Sequence, residues 1–230
     1  MVHCKKENYD IYIGRGKDPK TGKIGIWGNP FVIGKDGERD FVILKYKLWL
    51  NTQPHLLREI HTLSGKILGC WCDTGVNCHG DILRELSVSK YVSNWFSNML
   101  PMDKPFKYQG IEFNTVENFY QAMKLPKDRI DLRAKIASLN PYKAKTSIRD
   151  RKNYLWSEDW NQEKSLEVME YILRFKFAKG TSWYNLLKMT EDWEITEWNN
   201  WNDKFWGKDL KTEEGLNNLG KILMRLRNTS

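Results

Sequence analysis

The stretch Thr115-Val-Glu-Asn-Phe-Tyr-Gln-Ala-Met-Lys124 combines the apolar pattern of a buried helix with a row of polar side chains. Glu117, Gln121 and Lys124 stand at positions i, i+4 and i+7, which share one face of an α-helix. The bulky apolar residues of the stretch fall mostly on the other faces. A carboxylate, an amide and an amine aligned on such a helix indicate a functional site.

An ordinary surface helix explains the same spacing. Thr115 is a favoured N-cap residue, and an acidic residue such as Glu117 suits the first turn. Spacing alone favours this plainer interpretation. The sequence around the helix must therefore decide between the two.

Composition places the chain among soluble globular proteins. It has 230 residues, of which 40% are hydrophobic and 29% charged, enough to form two small domains. No apolar run approaches the roughly 20 residues of a membrane span, and the first seven residues lack the apolar core of a secretory signal. We therefore expect a cytoplasmic protein with no membrane association, or one in the host cytoplasm if it is phage-encoded.

The formal net charge of +8 predicts affinity for polyanions, whether nucleic acid or the phosphates of a nucleotide. The densest basic stretch lies between positions 143 and 152. When no motif is considered, a solvated helix face is the favoured interpretation of such a stretch.

The two halves of the chain have different patterns. Residues 1–88 alternate short apolar runs with helical spacing, which predicts a small α/β domain. Residues 89–230 are dominated by helical segments rich in Trp and Tyr, which predicts a mainly α (α+β) domain. We predict the domain boundary near residues 87–90. The predicted helices of the second half span 115–124, 128–138, 162–178, 181–188 and 216–227.

The first half contains a cluster of thiols and an imidazole, formed by Cys70, Cys72, Cys78 and His79. These residue types are zinc ligands, although the C-x-C spacing is tighter than in most structural zinc sites. A cytosolic protein would keep the thiols reduced, so a disulfide framework is not expected. Inert thiols at the end of a core strand are an equal alternative.

Several motifs of the first half are shared with a known domain family. They include Trp27-Gly-Asn-Pro-Phe31, Gly65-Lys66 and the segment from Cys70 to Asp81. With them, residues 9–86 resemble an uncharacterised domain family of bacteria and their phages. The resemblance identifies a domain without assigning a reaction to it.

The second half carries a longer series of motifs. It opens with Phe96-Ser-Asn98, Tyr108-x-Gly-x-x-Phe113 and the stretch from Thr115 to Lys124. Arg149-Asp-Arg151, Trp206-Gly207 and Gly215-x-Asn217-x-Leu219-Gly220 follow in the same order. Residues 91–228 thereby resemble the NADAR family, also called the YbiA-like N-glycosidases.

The resemblance implies hydrolysis of an N-glycosidic bond of ribose, most readily removal of ADP-ribose from guanine in nucleic acid or a related nucleotide. The catalytic residues that it implies are Glu117, which would stabilise charge at C1 and deliver water, Lys124, as nucleophile, acid or fixed cation, and Asp203. No cofactor is required for this chemistry, and zinc at the Cys/His cluster is the one metal that the residues suggest. The ligand-binding residues that it implies are Asn98, Gln121, Arg149, Arg151, Glu197, Trp206, Gly207 and Asn217.

Two alternatives stay open at this point. Some members of the family act on phosphorylated intermediates of riboflavin synthesis, which also present a ribose, a nitrogen and a phosphate. The segment Lys208–Glu214 is poorer in glycine than its counterpart in relatives, which puts substrate choice in doubt. A non-catalytic module that binds nucleotides or nucleic acid is the alternative from another functional class. The expected partners are ADP-ribosylated nucleic acid or a nucleotide-like small molecule, and the oligomeric state is left open.

Overall fold

The computed structural model describes residues 1–73, 75–88 and 96–229, and these residues form two compact units. Unit 1 comprises Met1–Trp95 with Asp192–Gly220, and unit 2 comprises Phe96–Glu191 with Lys221–Ser230. The predicted fold class, a small α/β domain followed by a mainly α (α+β) domain, is confirmed. The boundary near residues 87–90 stays a prediction, and its positions 89 and 90 lie outside the described residues.

Unit 1 is built on a parallel sheet of three short strands, β1 Val2–His3, β2 Ile11–Tyr12 and β3 Leu68–Cys70, in the order β1-β3-β2. The central strand β3 is buried along its whole length, and Cys70 is its last residue. Strands separated by helices produce this parallel pairing. The elements are β1 Val2–His3, β2 Ile11–Tyr12, α1 Arg39–Leu50, α2 Pro54–Glu59, a 3₁₀ helix Ile60–Leu63, β3 Leu68–Cys70 and α3 His79–Ser87.

The segment Asp192–Gly220 packs into the core of unit 1. It carries two more short strands, β6 Trp198–Asn199 and β7 Lys208–Asp209, which pair in parallel. The buried Trp198 joins the apolar core formed by the N-terminal residues, and its indole N–H donates to the Asn51 carbonyl at 3.0 Å. Arg58 and Glu213 form an ion pair at 2.6 Å. The sequence analysis predicted this segment as part of the second domain. In the structure it packs with the N-terminal residues in unit 1.

Unit 2 begins with an antiparallel hairpin of β4 Pro101–Tyr108 and β5 Ile111–Thr115. Its turn consists of Gln109 and Gly110, which both have positive φ angles, 52° and 77°. Two consecutive positive φ angles are typical of the tight turns that match strand twist. The helices are α4 Val116–Ala122, α5 Ile130–Ser138, α6 Pro141–Ser147, α7 Gln162–Lys176 and α8 Ser182–Lys188, and a last helix α9, Asn218–Thr229, contains the division between the units.

Helix α4 starts directly where β5 ends, and all seven of its residues are buried. Thr115 is its N-cap and accepts the Asn118 N–H at 3.1 Å. The Asn118 amide donates to the carbonyls of Ile136 and Leu139, each at 2.8 Å. One buried Asn thus ties the start of α4 to the end of α5.

The observed helices differ from the predicted ones mainly at their ends. The helix predicted over 115–124 ends at Ala122, and Lys124 lies in the turn that follows the C-cap Met123. Pro126 lies two residues after Lys124, and a proline disfavours helical geometry for the residue before it, here Leu125. The β4–β5 hairpin, α2 and α6 were not predicted. None of the helices in the described ranges is long and apolar enough to cross a membrane.

Replacing Asn118 with Ala should lower the free energy of unfolding of unit 2 by about 3 kcal/mol, because it leaves two backbone carbonyls without their donor. Chemical denaturation followed by circular dichroism measures this loss. Asn185→Ala on the exposed face of α8 is the matched control and should change stability by less than about 0.5 kcal/mol. Equal effects of the two substitutions would contradict the role assigned to Asn118.

Candidate active site

Helix α4 holds a buried carboxylate in a fixed position. Glu117 is 6% exposed and Gln121 3% exposed, although both are polar. The Gln121 amide donates to Glu117 Oε1 at 2.7 Å, one helical turn away. The backbone N–H of Glu117 donates to the Asn98 carbonyl at 2.9 Å, which anchors the first turn. Glu117 and Gln121 therefore share one face of α4, as predicted, whereas Lys124, the third residue predicted on that face, lies beyond the end of the helix.

Two amide oxygens beside this helix lack a protein partner in the described part of the chain. They are Asn98 Oδ1 and Gln121 Oε1, and both are buried. The Asn98 amide nitrogen contacts the Met169 sulfur at 3.4 Å. Because an unpaired buried oxygen costs about 1–3 kcal/mol, such atoms usually meet a water or a ligand. Their position indicates where a polar ligand would bind.

Lys124 is buried with its ammonium group against aromatic rings. Its Nζ lies 4.8 Å from the centroid of Tyr120 and 4.7 Å from that of Trp156. Burial lowers the pKa of Lys124 to about 8, from an ordinary value of 10.5. The negative charge of Glu117 opposes this shift, and the basic residues around positions 145–151 add to it. The free amine of Lys124 is therefore more accessible near neutral pH than that of an exposed lysine.

Trp156 is a site residue that the sequence analysis missed. One of its contacts is Lys124, and another is the Arg151 guanidinium carbon, 4.1 Å from its ring centroid. Its indole N–H donates to the Ile148 carbonyl at 3.0 Å, which fixes the ring. With 11 tryptophans in the chain, nothing but its position shortly after the Arg149-Asp-Arg151 motif could have singled it out.

The two predicted phosphate-binding arginines lie on the surface just after α6. Arg149 and Arg151 are both exposed, and neither has an ion pair within the described residues. The intervening Asp150 accepts hydrogen bonds from Asn153 and from the Lys152 backbone instead. Both guanidinium groups are therefore available to an anion.

The remaining predicted site residues belong to unit 1. There the Asp203 carboxylate accepts the backbone N–H groups of Phe205 and Trp206 at 3.1 and 2.9 Å, which orders the loop that carries Trp206. Gly207 approaches Glu197 closely, since a Cβ at Gly207 would lie 2.0 Å from the Glu197 carbonyl oxygen. Only glycine fits at that point.

Asn217 uses both polar atoms of its side chain within unit 1. Its amide donates to the Ile195 carbonyl at 2.9 Å, and its oxygen accepts the Glu197 N–H at 3.0 Å. Its φ angle is 52°, a left-handed conformation that Asn tolerates better than most residues. These contacts hold the segment before β6 against the start of α9. The catalytic role of Asp203 and the ligand-binding roles of Glu197, Trp206, Gly207 and Asn217 stay predictions.

The thiol cluster also lies in unit 1. The sulfur atoms of Cys70, Cys72 and Cys78 lie within 4.8 Å of one another, which is close enough to bind a metal ion. His79 adjoins them, with Nδ1 3.5 Å from the Cys78 sulfur. The tertiary structure therefore brings together the three cysteines that the sequence grouped as a zinc candidate, with His79 beside Cys78.

Two family matches cover the chain. Residues 2–89 match the domain of unknown function DUF4326, and residues 84–229 match the NADAR domain, which is more than half of the chain. The chain belongs to the NADAR family. Both resemblances inferred from the sequence are thereby confirmed. The family is associated with hydrolases of the N-glycosidase type, and its DUF4326 partner domain is uncharacterised.

Individual relatives extend this picture. Uncharacterized protein R718 of Acanthamoeba polyphaga mimivirus is 36% identical over 89 residues, which cover 35% of this chain and 68% of that protein. The riboflavin biosynthesis protein VVA0006 of Vibrio vulnificus is 36% identical over 113 residues, 48% of this chain but only 29% of that protein. The solved structure of E. coli YbiA is 30% identical, with a TM-score of 0.48 over 58% of this chain and 75% of YbiA.

Lys124→Met should raise the free energy of unfolding near neutral pH by about 1–3 kcal/mol, because it removes a buried cation. The folded-state pKa of about 8 lies below the ordinary 10.5, so the folded state binds fewer protons between these values. The cost of the cation is complete below pH 8 and disappears as the pH rises towards 10.5. Denaturation curves at several pH values should therefore show the gain shrinking over this range.

Lys127→Met is the matched control for this measurement. Lys127 is exposed and lies three residues along the chain, so its loss should give no pH-dependent difference. A gain for Lys124→Met that stays constant between pH 8 and 10.5 would contradict the lowered pKa.

Proposed function

We propose that this protein hydrolyses an N-glycosidic bond of ribose, and that its preferred substrate is ADP-ribose attached to guanine in nucleic acid. The observation that carries the proposal is a buried, hydrogen-bonded carboxylate, Glu117, electrostatically coupled to a lysine with a pKa of about 8. Membership of a family associated with N-glycosidase-type hydrolases supports the reaction class.

Glu117 has the properties needed at the sugar carbon. In the reaction the bond between C1 and nitrogen breaks, the oxygen of water bonds to C1, and one proton of that water ends on the nitrogen. Positive charge develops at C1 as the leaving nitrogen departs, and a fixed carboxylate stabilises it without reorganisation. The same carboxylate can accept the proton of the attacking water. Gln121 keeps the carboxylate in one orientation through its 2.7 Å hydrogen bond.

Lys124 has two roles that its pKa permits. As the ammonium it donates a proton to the leaving nitrogen. As the free amine it attacks C1 of the ring-opened sugar while C1 is still bonded to the leaving nitrogen. The C1–nitrogen bond breaks, the nitrogen leaves with a proton, and water hydrolyses the Schiff base between Lys124 and C1 to give the free sugar and the free amine. No metal takes part in either route as we propose it, since Glu117 and Lys124 supply the acid, the base and the nucleophile. The zinc prediction for the thiol cluster concerns other residues.

The basic surroundings of Lys124 support a phosphate-bearing substrate. Arg149 and Arg151 are exposed cations whose planar donor groups match the oxygens of a pyrophosphate. The net charge of +8 favours nucleic acid as the carrier of the ADP-ribose. Asn98 is proposed to bind a substrate hydroxyl through its side-chain oxygen, which has no hydrogen-bond partner among the described residues. The roles of Trp206 and Asp203 remain those that the family resemblance implies.

A phosphorylated intermediate of riboflavin synthesis is the second candidate substrate. The Vibrio vulnificus relative named for riboflavin biosynthesis favours it. The match covers less than a third of that protein, so its activity transfers only as a proposal. The two substrates present the same groups to Glu117 and Lys124.

The decisive test incubates the protein with an oligonucleotide carrying ADP-ribose on guanine and follows loss of the adduct by mass spectrometry. Glu117→Gln should slow turnover at least about 100-fold while binding is kept, because the amide can neither accept a proton nor balance positive charge. Glu112→Gln is the matched control, since Glu112 is exposed on β5 and pairs only with Lys107 among the described residues. It should leave turnover unchanged.

Each contrary outcome selects a different function. Equal turnover by Glu117→Gln and the wild type would remove Glu117 from the mechanism. Turnover of the riboflavin intermediate alone would establish the second substrate. Absence of turnover on both, with nucleic-acid affinity that falls steeply with salt and is unchanged in Glu117→Gln, would identify a binding module.

Borohydride reduction during turnover distinguishes the two roles of Lys124. A Schiff base would be trapped as a stable sugar adduct on the peptide that contains Lys124. Lys124→Arg should give no adduct, because a guanidinium does not form one. Turnover without any adduct in the wild type would assign Lys124 the role of the acid.

A further inference from the structure

Three thiols converge where the central strand of unit 1 ends and α3 begins. Cys70 closes β3, Cys72 follows two residues later, and Cys78 is the N-cap of α3. Cys70 and Cys78 are buried, whereas Cys72 is half-buried and borders a cavity of about 400 Å³. The glycosidase chemistry uses none of them.

The distances between the sulfur atoms are close to those between sulfur ligands of a tetrahedral zinc ion. A tetrahedral ion with bonds of about 2.3 Å separates two sulfur ligands by about 3.8 Å. The Cys70 and Cys78 sulfurs lie 3.6 Å apart, and no pair among the three thiols exceeds 4.8 Å. Shifts of less than about 1 Å would therefore complete the geometry. Cys78, at the start of α3, adds a third thiol to the closely spaced pair of Cys70 and Cys72.

His79 is oriented as a fourth ligand. Its Nε2 lies 2.8 Å from the Ile13 carbonyl, which can only accept, so Nε2 carries the hydrogen and Nδ1 a lone pair. Nδ1 lies 3.5 Å from the Cys78 sulfur, close to the 3.6 Å or so expected between sulfur and nitrogen ligands of one zinc ion. Ligating histidines typically donate their other N–H to a carbonyl or carboxylate in this way.

The surroundings balance the charge that such a site would carry. Three thiolates and Zn²⁺ sum to −1. The Arg39 guanidinium lies 3.8 Å from the Cys72 sulfur, and the Gly80 N–H donates to the Cys78 sulfur at 3.4 Å at the positive end of α3. Neutral, inert thiols would gain little from a nearby guanidinium.

We propose that Cys70, Cys72, Cys78 and His79 bind one zinc ion, which fastens the end of β3 to the start of α3. Soft thiolate ligands with one imidazole in tetrahedral positions favour zinc over the harder divalent cations. The cavity beside Cys72 gives the ion a route of entry.

Metal analysis of the full chain tests this proposal. Protein purified under reducing conditions without chelators should contain one zinc per chain. Cys72→Ser should lose it, whereas Cys4→Ser should keep it, because Cys4 is a buried thiol outside the cluster. Wild-type protein stripped by a chelator and titrated with zinc should regain one equivalent and a higher melting temperature, which keeps the test valid if Cys72→Ser does not fold.

Cobalt substitution reports the ligands directly. The stripped wild type should give sulfur-to-cobalt charge-transfer absorption and the visible bands of tetrahedral cobalt. His79→Gln should keep the charge-transfer absorption but shift the visible bands and weaken cobalt binding at least about 10-fold. Unchanged spectra and affinity in His79→Gln would remove His79 from the ligand set.

Measurements of cysteine alkylation and of protein mass give the results that would contradict the proposed zinc site. Wild-type protein that neither contains nor takes up metal, and whose four thiols all react with an alkylating reagent after denaturation, would show reduced cysteines without a metal site. A mass lower by two hydrogens, with two thiols protected until reduction, would establish a disulfide, for which Cys70 and Cys78 are the nearest pair described.

Discussion

The burial of α4 on every side is the constraint on which unit 2 depends. A helix that carries Glu, Asn and Gln can be buried only if each polar group finds a partner. Asn118 meets this requirement with backbone carbonyls of α5, and Gln121 meets part of it with Glu117. The amide oxygens of Asn98 and Gln121 have no partner among the described residues, and this is where we propose that a polar ligand binds.

The same burial governs the electrostatics of the site. Lys124 lies against the rings of Tyr120 and Trp156, which attract a cation but do not hydrate it. Loss of water lowers the pKa of Lys124, and a lysine near neutrality can exchange protons or attack a carbonyl carbon. Aromatic packing therefore sets the electrostatic environment of Lys124. The half-buried Trp156 contributes to it and also stacks on Arg151.

Unit 1 combines residues from two distant parts of the sequence. Trp198 completes the core formed by the N-terminal strands and helices, and Asn217 and Gly207 fix the segments around it through close backbone approaches. The segment that carries Asp203 and Trp206 is thus supported by the DUF4326 residues.

The sequence by itself determined the two families, the fold class and the pairing of Glu117 with Gln121, because motif order and helical periodicity are local properties of the chain. It also grouped the three cysteines with His79. Only the tertiary structure decided that α4 ends before Lys124, that Trp156 faces it, and that Asp192–Gly220 packs with the N-terminal residues. These features depend on packing between side chains that are far apart in the sequence, and a local sequence pattern contains no information about such contacts.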